Sequence, residues 1–302
     1  MAFDVDLLID RRRLKRKLVF WRVVAVIALV AAVLAAVGTY QDRWGAPYVA
    51  RLTVDGVITD DRERDSLLAA LTKEGAAKAL IVRIDSPGGT VVGGEALFGR
   101  LRAVAAHMPV VAVMGELGTS AAYMTAAACD HIIAHEGTIT GSIGVILQTA
   151  DMTALLDRLG IKPETIKSGA LKAQPNPFEP FTPEAREATR KLVFDMHAMF
   201  VDLVAERRRL ERDTVLKMAD GRVFTGRQAL ANGLIDRLGG EEEARTWLHE
   251  THAIDRDLAI KDLDSVGPEQ TIRELFTKIT GKALFIERLT LDGLVSVWHP
   301  GL

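Results

Sequence analysis

A single cysteine, Cys129, stands in the 302 residues. An intramolecular disulfide is therefore excluded, and no cysteine cluster exists to hold zinc or an iron–sulfur centre. Within "AAACDHII" its reading is a buried structural thiol. No metal site and no cofactor is read from the chain. A strong excess of charge is missing as well. Lys and Arg number 38 against 40 Asp and Glu, a net charge of −2. The first 44 residues hold 8 basic and 4 acidic side chains, which leaves 30 basic against 36 acidic beyond them. The body of the chain is mildly acidic, which argues against nucleic acid as a partner. There is no tandem repeat and no low-complexity tract. Apolar residues at 48% and charged residues at 26% imply a packed core rather than disorder.

Long apolar runs are scarce too, with one exception. Residues 11–17 read "RRRLKRK", and residues 23–40 then give 18 positions without a charge. Leu18, Val19, Phe20 and Trp21 extend the run across Arg22, whose charge can snorkel to an interface. About 20 apolar residues span a bilayer core as a helix. Trp21 at one end, and Tyr40 and Trp44 at the other, suit interfacial aromatics. The expectation is a cytoplasmic basic segment over 1–17 and an anchor over 18–40, with the remainder exported. A cleaved signal peptide is the alternative, since "VLAAVG" offers small residues, but the run exceeds an ordinary h-region.

The exported part alternates strands and helices. Strands are expected at 48–58, 80–85, 109–114, 131–135 and 142–147, and helices at 66–79, 94–107, 120–128 and 152–160. A long amphipathic helix over 182–210 has Thr182 as cap and Pro183 at its first position. A turn, short strand, helix and final strand follow over 219–240. Such alternation implies βαβ units and a mostly parallel sheet, an α/β fold. From about 265, Ile272, Leu275, Phe276 and Ile279 recur at helical spacing.

Two turns follow strands directly. "SPGGT" (86–90) is expected to break the strand before it, and Gly88 and Gly89 permit close backbone approach to a ligand. Free amides there suit a peptide carbonyl or an oxyanion. The other turn, "GTSAAYMTAAA", places Ser120 between a strand and a helix. Ser120 is either a helix cap or a nucleophile with helix amides behind it. A nucleophile needs a base. His131 and His135 follow soon after, and Lys167 and Lys172 of "KSGALK" are the alternatives, provided burial lowers a lysine pKa.

"IDSPGGTV", "GTSAAYMTAAACD", "GTITGSIGVI", "IKSGALK", "TPEAR" and "ADGRVFTGRQALANGLIDRLGG" follow one another in this order between residues 84 and 240. Over roughly residues 48–245 the chain resembles the signal peptide peptidase A family of membrane-anchored bacterial serine proteases. That resemblance implies a Clp protease/crotonase-like fold and a Ser-Lys dyad. Ser120 matches the nucleophile and Lys172, the second lysine of Lys-Ser-Gly-x-x-Lys, the general base. Ser142 of Gly-Ser-Ile-Gly matches the residue that orients the lysine. Amides of Gly89 and Ala121 would form the oxyanion hole, with Gly88 in substrate binding. Ala121 and Ala122 replace the usual glycines, and Asp85 replaces an asparagine. The Clp triad's histidine slot here holds "GSIGVI". The implied partners are peptides (signal peptide remnants and other membrane-released or misfolded peptides), the membrane, and further copies of the chain sharing sites at interfaces. The protease domain is expected over 45–245 and a helical extension over 246–302. An acyl-thioester enzyme and a non-catalytic anchored scaffold are the rivals.

Overall fold

The computed structural model describes residues 17–31, 46–263 and 294–297. The chain divides into two units, Met1–Pro47 and Tyr48–Leu302. In the first, residues 17–31 form a helix, α1, with exposed side chains. Among the described residues no helix is long and apolar enough to cross a membrane. At a rise of 1.5 Å per residue α1 measures about 22 Å, against about 30 Å for a hydrocarbon core. The anchor expected over 18–40 continues beyond α1 into residues outside the described ones, and most of the basic cluster lies outside them too.

The second unit is built on β1 (Tyr48–Ile58), β2 (Ala77–Thr90), β3 (Val110–Thr119) and β4 (His131–Ala134), all parallel. β5 (Ile139–Gly141) adds in parallel to the end of β3, and β6 (Ile146–Leu147) follows. β7 (Val223–Thr225) is antiparallel to β5. β8 (Arg237–Leu238) and β9 (Ile260–Asp262) extend the two edges in parallel, on β4 and β1. β10 (Leu294–Val297) joins β6 to β2, antiparallel to both. The α/β class with a mostly parallel sheet is therefore as expected.

Alternation along β2 sorts its side chains onto two faces. Leu80, Val82 and Ile84 join one core with Leu68 and Leu71 of α2 (Arg62–Glu74), Leu97 and Leu101 of α3 (Val91–Ala105), and α4 (Ala121–Ala127). After α5 (Thr153–Arg158), Phe200 and Val204 of α6 (Pro183–Arg208) close that core, beside Val215 of α7 (Arg212–Met218) and Ala229 of α8 (Gly226–Ala231). Ala79 and Ile81 face the other way, with Val111, Val113 and Ile133. There they meet Ala244 and Leu248 of α9 (Glu241–His252). Each buried Val, Leu, Ile or Phe among these contributes about 1.5–3 kcal/mol.

Several boundaries differ from expectation. The helix expected over 66–79 starts earlier, because the Asp61 carboxylate accepts from the amides of Glu63 and Arg64, and ends at Gly75 in the left-handed region. Residues 77–79 belong to β2 instead. "SPGGT" does not break that strand. β2 continues to Thr90 because Val57 and Ile58 pair with Gly88 and Gly89, and register shifts absorb the irregularity. Residues 142–147 are not one strand; only Ile146 and Leu147 are. The boundary expected at 245/246 falls inside α9, and β9 is a member of the sheet. The helical spacing at Ile272, Leu275, Phe276 and Ile279 lies outside the described residues. The long helix matches its expectation: Thr182 Oγ1 accepts from Ala185 N–H, with Pro183 following.

Candidate active site

Ser120 connects β3 to α4 at φ 59° and ψ −121°. This conformation is essentially reserved for glycine and costs another residue about 1–3 kcal/mol. The surroundings enforce it. Ser120 N–H donates to Gly141 O at 2.8 Å, and Ser120 O accepts from Met124 N–H at 2.9 Å. Every residue of α4 is buried, so the helix cannot swing to relax the turn. The Ser120 side chain makes no capping hydrogen bond, so the helix-cap reading fails. Ser120 is thus a buried serine on a sharp, strained strand-to-helix turn.

α4 is held from its far end as well. The Arg207 guanidinium donates to Ala127 O at 2.9 Å and Cys129 O at 3.0 Å, and Arg102 donates to Ala128 O at 2.9 Å. These are carbonyls a helix end leaves without internal partners. Tyr123, fully buried, donates its hydroxyl to Leu234 O at 2.9 Å. Burial pushes its pKa up, and likewise that of the Cys129 thiol, which is thereby kept as an inert thiol.

The Ser-Pro-Gly-Gly stretch is tied to the same turn. Thr119 Oγ1 donates to Pro87 O at 3.0 Å. Ser86 Oγ accepts from Gly88 N–H at 3.1 Å and donates to Gly56 O. Gly88 takes φ 109°. At Gly89 the need for glycine is steric: a Cβ there would stand 1.8 Å from Ile58 O. Asp85, the departure from the family pattern, has a structural partner. Its carboxylate accepts from Leu117 N–H at 3.1 Å, steadying the segment that leads to Ser120.

Ser142 follows β5 at φ 49°, and its N–H donates to Arg222 O at 2.8 Å. Gly141, its neighbour, pairs with Thr119 and holds the Ser120 amide. Gly88, Gly89, Ser120, Ala121 and Ser142 thus gather at the carboxyl ends of β2, β3 and β5. Open α/β sheets bind ligands at such an edge.

Lys172 lies between α5 and α6. It is exposed, in a turn of that irregular stretch, and its N–H donates to Gly169 O. Lys167 is mostly covered and paired with Glu179, whose carboxyl that ammonium holds below its usual range. Neither histidine suits Ser120. His131 pairs in register with Val111, near the start of β3, whereas Ser120 follows its end. At about 3.3 Å per residue they lie about 30 Å apart along the strand. His131 stacks on Trp247 with ring centroids 4.8 Å apart. His135 follows Ala134, which pairs with Met114, short of the turn.

Sequence reading missed the ties from Thr119 to Pro87 and from Asp85 to Leu117, and the arginine caps on α4. Asp85 alone had left a signal, as a departure from the family's usual residue.

The family model described as peptidase family S49 matches residues 102–255. The chain belongs to peptidase family S49. The S49 match contains Ser120, Ala121, Ser142 and Lys172. A Synechocystis sp. protein with a provisional protease name is 40% identical over 229 residues, covering 75% of this chain and 82% of that protein. An Enterococcus faecium protein provisionally named signal peptide peptidase SppA is 30% identical over 210 residues, 65% of this chain and 61% of its own. The solved structure of a ClpP1 mutant from Listeria monocytogenes has a TM-score of 0.44 at 16% identity, over 63% of this chain and 91% of that one.

Proposed function

We propose that this S49 member is a membrane-anchored endopeptidase using Ser120 and Lys172. The observation that carries the reading is the strained, buried Ser120 turn, tied to both Gly141 and the Ser-Pro-Gly-Gly stretch. Neutral Lys172 takes the hydroxyl proton as Ser120 Oγ attacks a peptide carbonyl carbon. The oxyanion accepts hydrogen bonds from the amides of Gly89 and Ala121. Lys172 then gives its proton to the leaving amine, the C–N bond breaks, and an acyl ester remains on Ser120. Water, deprotonated by Lys172, cleaves that ester, releasing the acid and restoring the serine. Ser142 orients the lysine, and Gly88 lies along the substrate.

A lysine serves as a base only in its neutral form, which a dry site favours. A second copy supplies it in this proposal. The stretch that carries Lys172 exposes Leu155, Leu159, Ile161, Ile166, Leu171 and Phe178, and α5 buries no residue. Apolar surface gathered in this way marks an interaction site. Subunits therefore exchange the stretch and assemble Ser120 of one copy with Lys172 of another.

The substrates are signal peptide remnants and other membrane-released or misfolded peptides, cut outside the cytoplasmic membrane by a domain whose amino-terminal helix stays anchored. The test is hydrolysis of a fluorogenic peptide by wild type and Ser120→Ala, with circular dichroism as the folding control. Turnover is expected to vanish in a folded variant, and a fluorophosphonate probe is expected to label only the wild type. Retained turnover removes Ser120 from the chemistry. A scaffold or a thioester enzyme predicts no labelling of either protein.

A further inference from the structure

The ladder between β2 and β3 is broken just before Ser120. Ile84 pairs with Met114 and Ser86 with Gly118, so Asp85 alone stands opposite Gly115, Glu116 and Leu117. Pro87 comes next on β2 and has no N–H, so it can offer a neighbour only its carbonyl. Two side chains span the break. The Asp85 carboxylate accepts from Leu117 N–H, an amide inside the bulge, at 3.1 Å. Thr119 Oγ1 donates to Pro87 O at 3.0 Å, where the main chain of β3 makes no pair with β2. Thr119 and Ser86 are both fully buried. A peptide unit is planar and trans, so holding its oxygen also sets the direction of its N–H. That N–H, of Gly88, donates to Ser86 Oγ at 3.1 Å. The Pro87–Gly88 plane is thus pinned at both ends. The plane after it carries the amide of Gly89, joined through Gly88 at φ 109°. β1 supports this stretch from its other edge, and the Thr119 tie registers it against the turn of Ser120.

We infer that Thr119 is a positioning residue for the proposed reaction: its hydroxyl holds the Pro87–Gly88 peptide, and through it the Gly89 amide, in register with Ser120 Oγ while the oxyanion forms. The inference rests on the proposed peptidase function. Attack demands two distances at once, from Ser120 Oγ to the carbonyl carbon and from the Gly89 amide to the oxygen on that carbon. The two groups belong to different strand ends, and Thr119 links those ends one residue before the nucleophile. An error in their offset leaves substrate binding almost intact and weakens the transition state, where the charge develops. Misplacement by about 1 Å costs on the order of a hundredfold in rate. Threonine suits the task because its branched Cβ restricts the rotor that carries the donor.

The experiment compares kcat and KM for a fluorogenic peptide in the full chain, with sites counted by fluorophosphonate titration. Thr119→Val is similar in shape but lacks the hydroxyl. Its turnover per titrated site is expected to fall about tenfold to a hundredfold, with KM within about twofold of wild type. Thr119→Ser keeps the donor on a freer rotor and is expected to restore most of that turnover. Thr119→Ala differs from Thr119→Ser by the hydroxyl alone and is expected to match Thr119→Val; this pair decides the matter if Thr119→Val folds poorly. A purely structural role would lower the count of sites or the melting temperature and leave turnover per site unchanged. Unchanged turnover per site in Thr119→Val, equal turnover in the serine and alanine variants, or a rise in KM alone overturns the inference and leaves the peptidase reading standing. A wild type that neither hydrolyses peptide nor takes the probe overturns both.

Discussion

The amide of Ser120 donates a 2.8 Å hydrogen bond to the carbonyl oxygen of Gly141. That bond couples the strained turn after β3 to the end of β5, and so places Ser142 one residue from the anchor of Ser120. Gly141 suits the junction: it takes φ 84°, and a Cβ on it would stand 2.6 Å from the Phe224 ring. The fold thus spends backbone strain at Ser120 and holds it with partners that have little freedom to move.

Relief of that strain is measurable. Ser120→Gly is expected to raise stability by about 1 kcal/mol, since glycine accepts the observed angles. Peptide hydrolysis is expected to vanish at the same time. The midpoint of urea unfolding and a turnover assay check the two halves together. A less stable variant that still hydrolyses peptide contradicts both.

The proposed dyad across copies predicts complementation. Ser120→Ala and Lys172→Ala proteins, each inactive alone, are expected to regain activity when refolded as a mixture, because some interfaces then pair an intact Ser120 with an intact Lys172. Lys167→Ala is expected to keep most of its turnover, with some loss of stability from the Glu179 pair. Absence of recovery despite demonstrated subunit mixing places both residues in one chain.

Two glycines separate steric need from helix propensity. Gly89→Ala pushes a Cβ into Ile58 O and is expected to cost about 3 kcal/mol or more, with loss of the oxyanion turn. Gly99→Ala lies in α3 with open space around it and is expected to gain about 0.5–1 kcal/mol. Thermal melts of the two variants should move in opposite directions.

The stacked histidine sets an acid limit. Burial pushes the His131 pKa below its ordinary 6.5, against the opposing pull of Asp236. A folded pKa below the unfolded one means that the unfolded chain takes up the proton first. Stability is then fully present above pH 6.5 and declines as pH falls below it toward the lowered folded pKa. His131→Phe keeps a ring on Trp247 and should flatten the dependence in that window. Denaturant midpoints at pH 7.5 and 5.5 test this, and an unchanged difference between them refutes it.

The proposed anchor predicts a sidedness. Ser66 is exposed on α2. Ser66→Cys in a Cys129→Ala background is expected to react with an impermeant thiol reagent on whole cells. Labelling only after lysis, with the outer envelope already permeable, reverses the orientation.

The sequence by itself determined the α/β class, the alternation of its main strands and helices, and the strand-to-helix turn at Ser120. These depend on local signals: apolar runs for buried strands, and Thr182 and Pro183 for the start of α6. Tertiary structure decided the rest. The persistence of β2 through Gly88 and Gly89 depends on β1, whose Val57 and Ile58 lie 31 residues earlier in sequence. Whether Ser120 caps α4 or stands strained depends on Gly141 across the sheet, and on the arginine caps that fix α4 from the other side. Both histidines were acceptable bases in sequence, because nearness along the chain says nothing about which end of a strand a residue occupies. Pairing of His131 with Val111 placed it at the far end. The pairing of residues 294–297 with Gly88–Thr90 depended on an edge that β3 vacates, and a vacant edge exists only once the sheet has formed.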